Sequence, residues 1–148
     1  MKTVVLITCT KHKHDGTHKA EYLYSASQNF AKYLECARSM VADSDIYVIS
    51  ALYNLIPLNK EIESYDYSLS EKSEQEKCTW GNEVVNQLSG LYNINNTKFV
   101  VIADDDYCFA LSHNPLFIDM PLKGVGCGPA GYEQLDDYVR KYNLNKSI

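Results

Sequence analysis

Apolar positions along this chain alternate between short unbroken runs and stretches repeating every three to four residues. Residues 3–8 form an apolar run of strand length, and its apolar character on both faces places it centrally in a sheet. From Ser25 to Asp43 the rhythm changes. Phe30, Tyr33, Leu34, Ala37 and Val41 fall on one helical face, and Ser25 or Ser27 can cap its start. Ile46 to Ser50 reads as a second strand. Residues 51–69 show no period and contain Pro57, so they are expected to be an irregular loop, long enough to be functional.

A second helix is expected from about Ser70 to Tyr92, with Ser70 or Ser73 as cap and Val84, Leu88 and Leu91 as its buried stripe. Phe99 to Ala103 is a third strand, as apolar as the first. Asp104, Asp105 and Asp106 follow it and can cap a short helix through Leu111. Leu116 to Met120 is a fourth strand. A glycine-rich loop, Gly124 to Gly131, leads into a last helix over 130–142. The order βαβαβαβα predicts an α/β fold: a three-layer αβα sandwich with a central, mainly parallel four-stranded sheet. All loops that follow strands then open on one edge, where ligands of such folds bind. Residues 8–20, 50–69, 103–108 and 121–131 converge there.

Composition narrows the classes. At 148 residues the chain is one domain, 1–148, large enough for a sizeable core. A net charge of −5 argues against non-specific adhesion to nucleic acid or anionic membranes, but the first twenty residues hold four lysines and one acid, a local basic site. Five cysteines without a C-x-x-C pair disfavour a disulfide framework and a structural zinc. His12, His14 and His18 are interleaved with Lys11, Lys13 and Lys19, which would repel a cation, so no metal and no cofactor are expected. No segment approaches membrane-spanning length and no cleavable signal pattern opens the chain. A cytoplasmic protein without a membrane partner is the expectation.

The chemistry concentrates after the first strand. Cys9, Thr10, Lys11 and Lys13 bring a thiol, a hydroxyl and two cations to a strand end, a setting that attracts phosphate. Glu21 and Tyr24 precede the first long helix. Glu21 suits a helix start and is also a carboxylate available for catalysis. Ser50, Tyr53 and Asn54 leave the second strand; Tyr53 can stack on a base, and Asn54 is a natural left-handed turn residue. Tyr65 and Asp66 lie in the irregular loop. Cleaving an N-glycosidic bond needs a carboxylate that stabilises the sugar cation or activates water, and Asp66 is the first choice. The Gly124–Gly131 loop matches neither a dinucleotide fingerprint nor a P-loop, but Gly126 permits close approach of a ligand to backbone.

Several of these segments together resemble one family. They are Thr8-Cys9-Thr10-Lys11 with Lys13, Ala20-Glu21 with Leu23-Tyr24-Ser25, Ile49-Ser50-Ala51 with Tyr53 and Leu55-Ile56-Pro57, and Glu63-Ser64-Tyr65-Asp66. Phe30, Leu69, Trp80, Ala103, Tyr107 and the stretch from Pro121 to Gly126 continue the series. The match, over about 4–132, resembles a small bacterial and phage domain family of formerly unknown function, distantly YaaA-like. Its pattern runs S-C-S-K-x-K, A-x-x-L-Y, S-A-K-Y-G-L-L-x-P and P-Y-D. The resemblance implies a uracil-DNA-glycosylase-like fold and, for some relatives, excision of modified bases from DNA. Leu52 and Asn54 replace the motif's lysine and glycine, and the water-activating motif of the classical uracil glycosylases is absent. The functional expectation is a protein that recognises a nucleotide, nucleoside or modified DNA base and hydrolyses its N-glycosidic bond. Lys11 and Lys13 would hold phosphate, Tyr53 and Tyr65 would sandwich the base, and Asp66 would serve the sugar cation or a water. A nucleotide-sequestering protein without chemistry and a deoxyribosyltransferase are the alternatives. Strand order, oligomeric state and the exact substrate are not legible at this stage.

Overall fold

A computed structural model describes residues 1–11 and 13–146, so the expectation for His12 lies outside the described residues. The central sheet has five strands: β1 (Lys2–Thr8), β3 (Ile46–Ser50), β4 (Asn54–Pro57), β6 (Thr97–Ile102) and β7 (Phe117–Asp119). Their order is β4-β3-β1-β6-β7. The four strands expected from the apolar runs are parallel neighbours, with Val5 level with Ile46 on one side and Val100 on the other. The sheet is nevertheless mixed and five-stranded, not four-stranded. β4 turns back on β3 and pairs antiparallel, Ile49 facing Leu55. Asn54 makes that reversal in the left-handed region, at φ 60°. Pro57, the residue that suggested a loop, is tolerated because β4 is an outer strand, where a missing backbone donor breaks no central ladder.

The rest of the 51–69 segment is also organised. β5 (Glu61–Glu63) pairs antiparallel with β2 (Thr17–Lys19) in a small separate sheet. Three backbone bonds extend this brace: Ala20 N–H to Lys60 O, Glu21 N–H to Leu58 O and Ser64 N–H to Gly16 O. The basic arm after β1 is thereby tied to the segment that carries Tyr65 and Asp66.

Helices cover both faces. α1 (Ala20–Leu23), α2 (Gln28–Met40) and α5 (Tyr132–Lys146) pack with Val5, Ile7, Val48, Val100 and Ile102 in one core. α3 (Glu74–Leu91) and α4 (Asp105–Ser112) pack with Val4, Leu6, Ile49, Phe99 and Val101 in the other. Alternation along the strands sends successive side chains to opposite cores. α2 starts later than expected. Ser27 caps it, accepting from the Phe30 N–H at 3.3 Å, while Ser25 lies in the turn before. α3 also starts late, at a full capping box in which Ser73 and Glu76 accept from each other's N–H. The Asp104 side chain caps α4 by accepting from the N–H groups of Asp106 and Tyr107.

Candidate functional site

The carboxyl edge of the sheet holds a cavity of about 300 Å³. The end of β1 and the arm after it supply Thr8, Cys9, Thr10, Lys11 and Lys13. The segment after β5 supplies Asp66, Tyr67 and Ser68, the start of α2 supplies Ser27, Asn29 and Tyr33, and the edge after β6 supplies Asp104 and Tyr107. Cys127, from the glycine-rich loop, completes the far wall. Parallel topology brings the segments after β1 and β6 to this edge, and the antiparallel pairing of β2 with β5 brings the segment after β5 there.

Five residues chosen from sequence meet in the cavity: Cys9, Thr10, Lys11, Lys13 and Asp66. Lys13 is half-buried. Its Nζ donates to the Lys11 carbonyl at 3.3 Å and stands 4.5 Å from the centre of the Tyr65 ring. Burial lowers its pKa from the ordinary lysine value, against the opposing pull of Cys9 and Asp66. Among the described residues no carboxylate lies within ion-pair distance of Lys11 or Lys13. The Cys9 Sγ is 3.0 Å from the Tyr107 hydroxyl. Burial raises the Asp104 carboxyl pKa, although two backbone N–H groups favour its charged form.

Three further choices stand behind the cavity wall instead of on it. The Tyr65 hydroxyl is 2.7 Å from both the Tyr24 hydroxyl and Ser50 Oγ. Ser50 Oγ also accepts from the N–H groups of Leu52 and Tyr53, and the Trp80 indole N–H donates to the Ser50 carbonyl at 2.9 Å. Tyr24 and Ser50 are fully buried. Burial drives the Tyr24 and Tyr65 phenols well above the ordinary range, so this chain of hydroxyls stays neutral and acts as a rigid support.

Three expectations are corrected. Tyr53 and Tyr65 do not form a sandwich: their rings meet edge to face at 5.3 Å and 81°, leaving no slot between parallel faces, and Tyr53 donates to the Glu63 carbonyl. The aromatic side chains on the cavity are Tyr33, Tyr67 and Tyr107, of which Tyr67 alone is exposed. Glu21 is not a lining residue; its carboxylate accepts from Arg38 at 3.0 Å, and Arg38 also holds Asp43. Gly126 does not line the cavity either. Its φ of 84° and its N–H bond to the Leu122 carbonyl make it a turn residue, and the loop is fastened by Gly128 N–H donating to the Tyr33 hydroxyl at 3.1 Å.

Sequence reasoning missed Asn29, Tyr33 and Tyr67 as site residues. Tyr33 fits the helical apolar stripe, which conceals its hydroxyl. A second cavity of about 410 Å³ lies beyond Tyr67, between the 51–54 turn and α3; Asn54, Leu69 and Trp80 line it, but none of the residues assigned a catalytic or binding role from sequence does. The histidines of the arm are engaged locally. His14 stacks on Tyr22 at 4.4 Å, and His18 Nε2 is 2.8 Å from the Asp15 carbonyl. Among the described residues no cluster of three or more histidine, cysteine or acidic side chains could hold a metal, and no helix is long and apolar enough to cross a membrane.

Residues 4–135 match a family described as a family of unknown function, DUF6884, and the chain belongs to that family. No curated protein and no solved structure matches it.

Proposed function

We propose that this DUF6884 member recognises a nucleotide, nucleoside or modified base in DNA and hydrolyses its N-glycosidic bond, on a three-layer scaffold of the uracil-DNA-glycosylase kind. One observation carries the reading: two lysines that make no ion pair among the described residues share a single cavity at the ligand-binding edge with three carboxylates, Asp66, Glu71 and the less exposed Asp104. A base held in a duplex would first be flipped out. Lys11 and Lys13 attract the phosphate. The exposed Asp66 carboxylate faces the sugar, whose C1′ gains positive charge as the bond to the base lengthens. Asp104, the less exposed of the two aspartates on the cavity, is the group placed to give the departing base its proton. Tyr67 offers its exposed ring to the base.

Chromatography of nucleosides, nucleotides and base-modified oligonucleotides after incubation with the protein tests the reaction. Release of free base supports it. Saturable binding with no product would instead support a sequestering protein, and transfer of the sugar to an added base would support a deoxyribosyltransferase.

Lys11→Ala is expected to weaken nucleotide binding about tenfold at low salt, the worth of one charge-assisted hydrogen bond of about 1.5 kcal/mol. The loss should shrink as salt rises, because the contact is electrostatic. Titration calorimetry at two ionic strengths reads both effects. A salt-independent loss would mean that Lys11 acts through packing and not through charge.

A further inference from the structure

We infer that Lys13 is the nucleophile of the proposed reaction, its Nζ attacking the sugar C1′ and carrying the sugar as a Schiff base. The inference rests on the N-glycosidic reading of the cavity and adds a covalent step to it. Lys11 and Lys13 both line the cavity, but their settings differ. Lys11 is exposed, whereas Lys13 is half-buried and held over the Tyr65 ring by a cation–π contact and a single hydrogen bond to the Lys11 carbonyl. Tyr65 cannot yield, because Tyr24 and Ser50 both grip its hydroxyl at 2.7 Å. The buried hydroxyl chain therefore positions an amine on the cavity wall, with no carboxylate within ion-pair distance among the described residues.

Asp66 is near enough to act on the amine electrostatically and lines the same cavity. Lysines in partly desolvated sites, with a depressed pKa, are the ones that form Schiff bases. A purely phosphate-holding lysine needs no such setting.

The step balances without a further reagent. The Lys13 ammonium gives up one proton to solvent, from which Asp66 on the same cavity takes one. The freed lone pair forms the Nζ–C1′ bond while the C1′–base bond breaks, its electrons leaving on the base, which takes a proton from Asp104. The second Nζ proton passes to O4′ as the sugar ring opens. The C1′–O4′ electrons pass to O4′, which is protonated, and a protonated imine remains. Water adds to the imine, releasing the sugar aldehyde and restoring the lysine. The sum is hydrolysis.

Reductive trapping tests it. The full chain is incubated with sodium cyanoborohydride and either a single-stranded oligonucleotide containing an abasic site or 2-deoxyribose 5-phosphate. Intact mass and peptide mapping then locate the adduct. The expected result is one adduct, on Lys13, formed at least tenfold faster than on Lys19, a lysine outside the cavity. Lys13→Gln and Lys13→Arg should both abolish it with unchanged melting curves, while Lys19→Gln should leave it intact. An adduct with either probe supports the inference and assigns the sugar as part of a polymer or as a monomer. Equal labelling of Lys13 and Lys19, or undiminished trapping in Lys13→Gln, overturns it. Base release at the wild-type rate by Lys13→Gln also overturns it and leaves the glycosidic reading standing with water as nucleophile. Trapping on Lys13 without base release from any nucleoside or oligonucleotide removes the glycosidic reading and keeps the Schiff-base site.

Discussion

Asp66→Asn is expected to lower the rate of base release by two to four orders of magnitude while leaving substrate affinity nearly unchanged. That range is about what a positioned acid or base contributes. The amide keeps the shape of the carboxylate but can neither accept a proton nor offset positive charge on the sugar. The effect belongs on turnover because Asp66 makes no ion pair among the described residues with Lys11, the cation that holds the phosphate. The fold should be untouched, since Asp66 is exposed and takes part in none of the ion pairs among the described residues. Initial rates on any substrate that the wild-type protein cleaves, with a melting curve as control, measure both quantities. Unchanged turnover would remove Asp66 from the mechanism and leave Asp104 as the carboxylate at the reacting bond. Glu21 is no substitute, because Arg38 holds it away from the cavity lining.

Among the seven glycines, Gly81→Ala should be the most damaging substitution by packing. α3 and α4 cross at Gly81, where a Cβ would lie 2.1 Å from the Ala110 carbonyl oxygen and 2.7 Å from its carbon. These are backbone atoms of a packed helix and cannot swing aside as a side chain could. The helices must separate, at a cost of about 3 kcal/mol, the upper part of the overpacking range. For a domain of this length that lowers the melting temperature by roughly 6–12 °C. Gly90, on the same helix, is the control. Nothing lies within 4 Å of its added Cβ, so Gly90→Ala should stabilise by about 0.5 kcal/mol through helix propensity alone. Circular dichroism melts of the two variants would falsify the packing argument if they moved together. The Gly81 variant also carries a functional consequence. Displacing α4 moves Tyr107, and with it the hydroxyl 3.0 Å from Cys9.

The four parallel strands, the long helices and the short helix after Asp104 are legible because each writes its burial into a local period. Strand β1 is apolar on both faces because each face meets a different core. The placement of Cys9, Lys11 and Lys13 followed from topology, because parallel strands put their following loops on one edge, whereas Asp66 joins them through the antiparallel pairing of β5 with β2. β4 was hidden because a four-residue edge strand is too short for a period and carries a proline that only its outer position tolerates.

Side-chain roles were the least legible. Tyr65 and Tyr53 have the chemistry to stack on a base, and nothing in their neighbours along the chain says otherwise. Tertiary packing turned Tyr53 edge-on and locked the Tyr65 hydroxyl between Tyr24 and Ser50, which lie 41 and 15 residues away. Glu21 was drawn to Arg38, 17 residues on, and Tyr33 turned out to fasten a loop 95 residues away. The sequence by itself determined the four parallel strands, the long helices and the edge on which the basic arm after β1 opens, because local periodicity and parallel topology are sufficient for these. Only the tertiary structure decided which of those side chains face the cavity and which support it, because hydrogen bonds and ring contacts between distant segments orient each group.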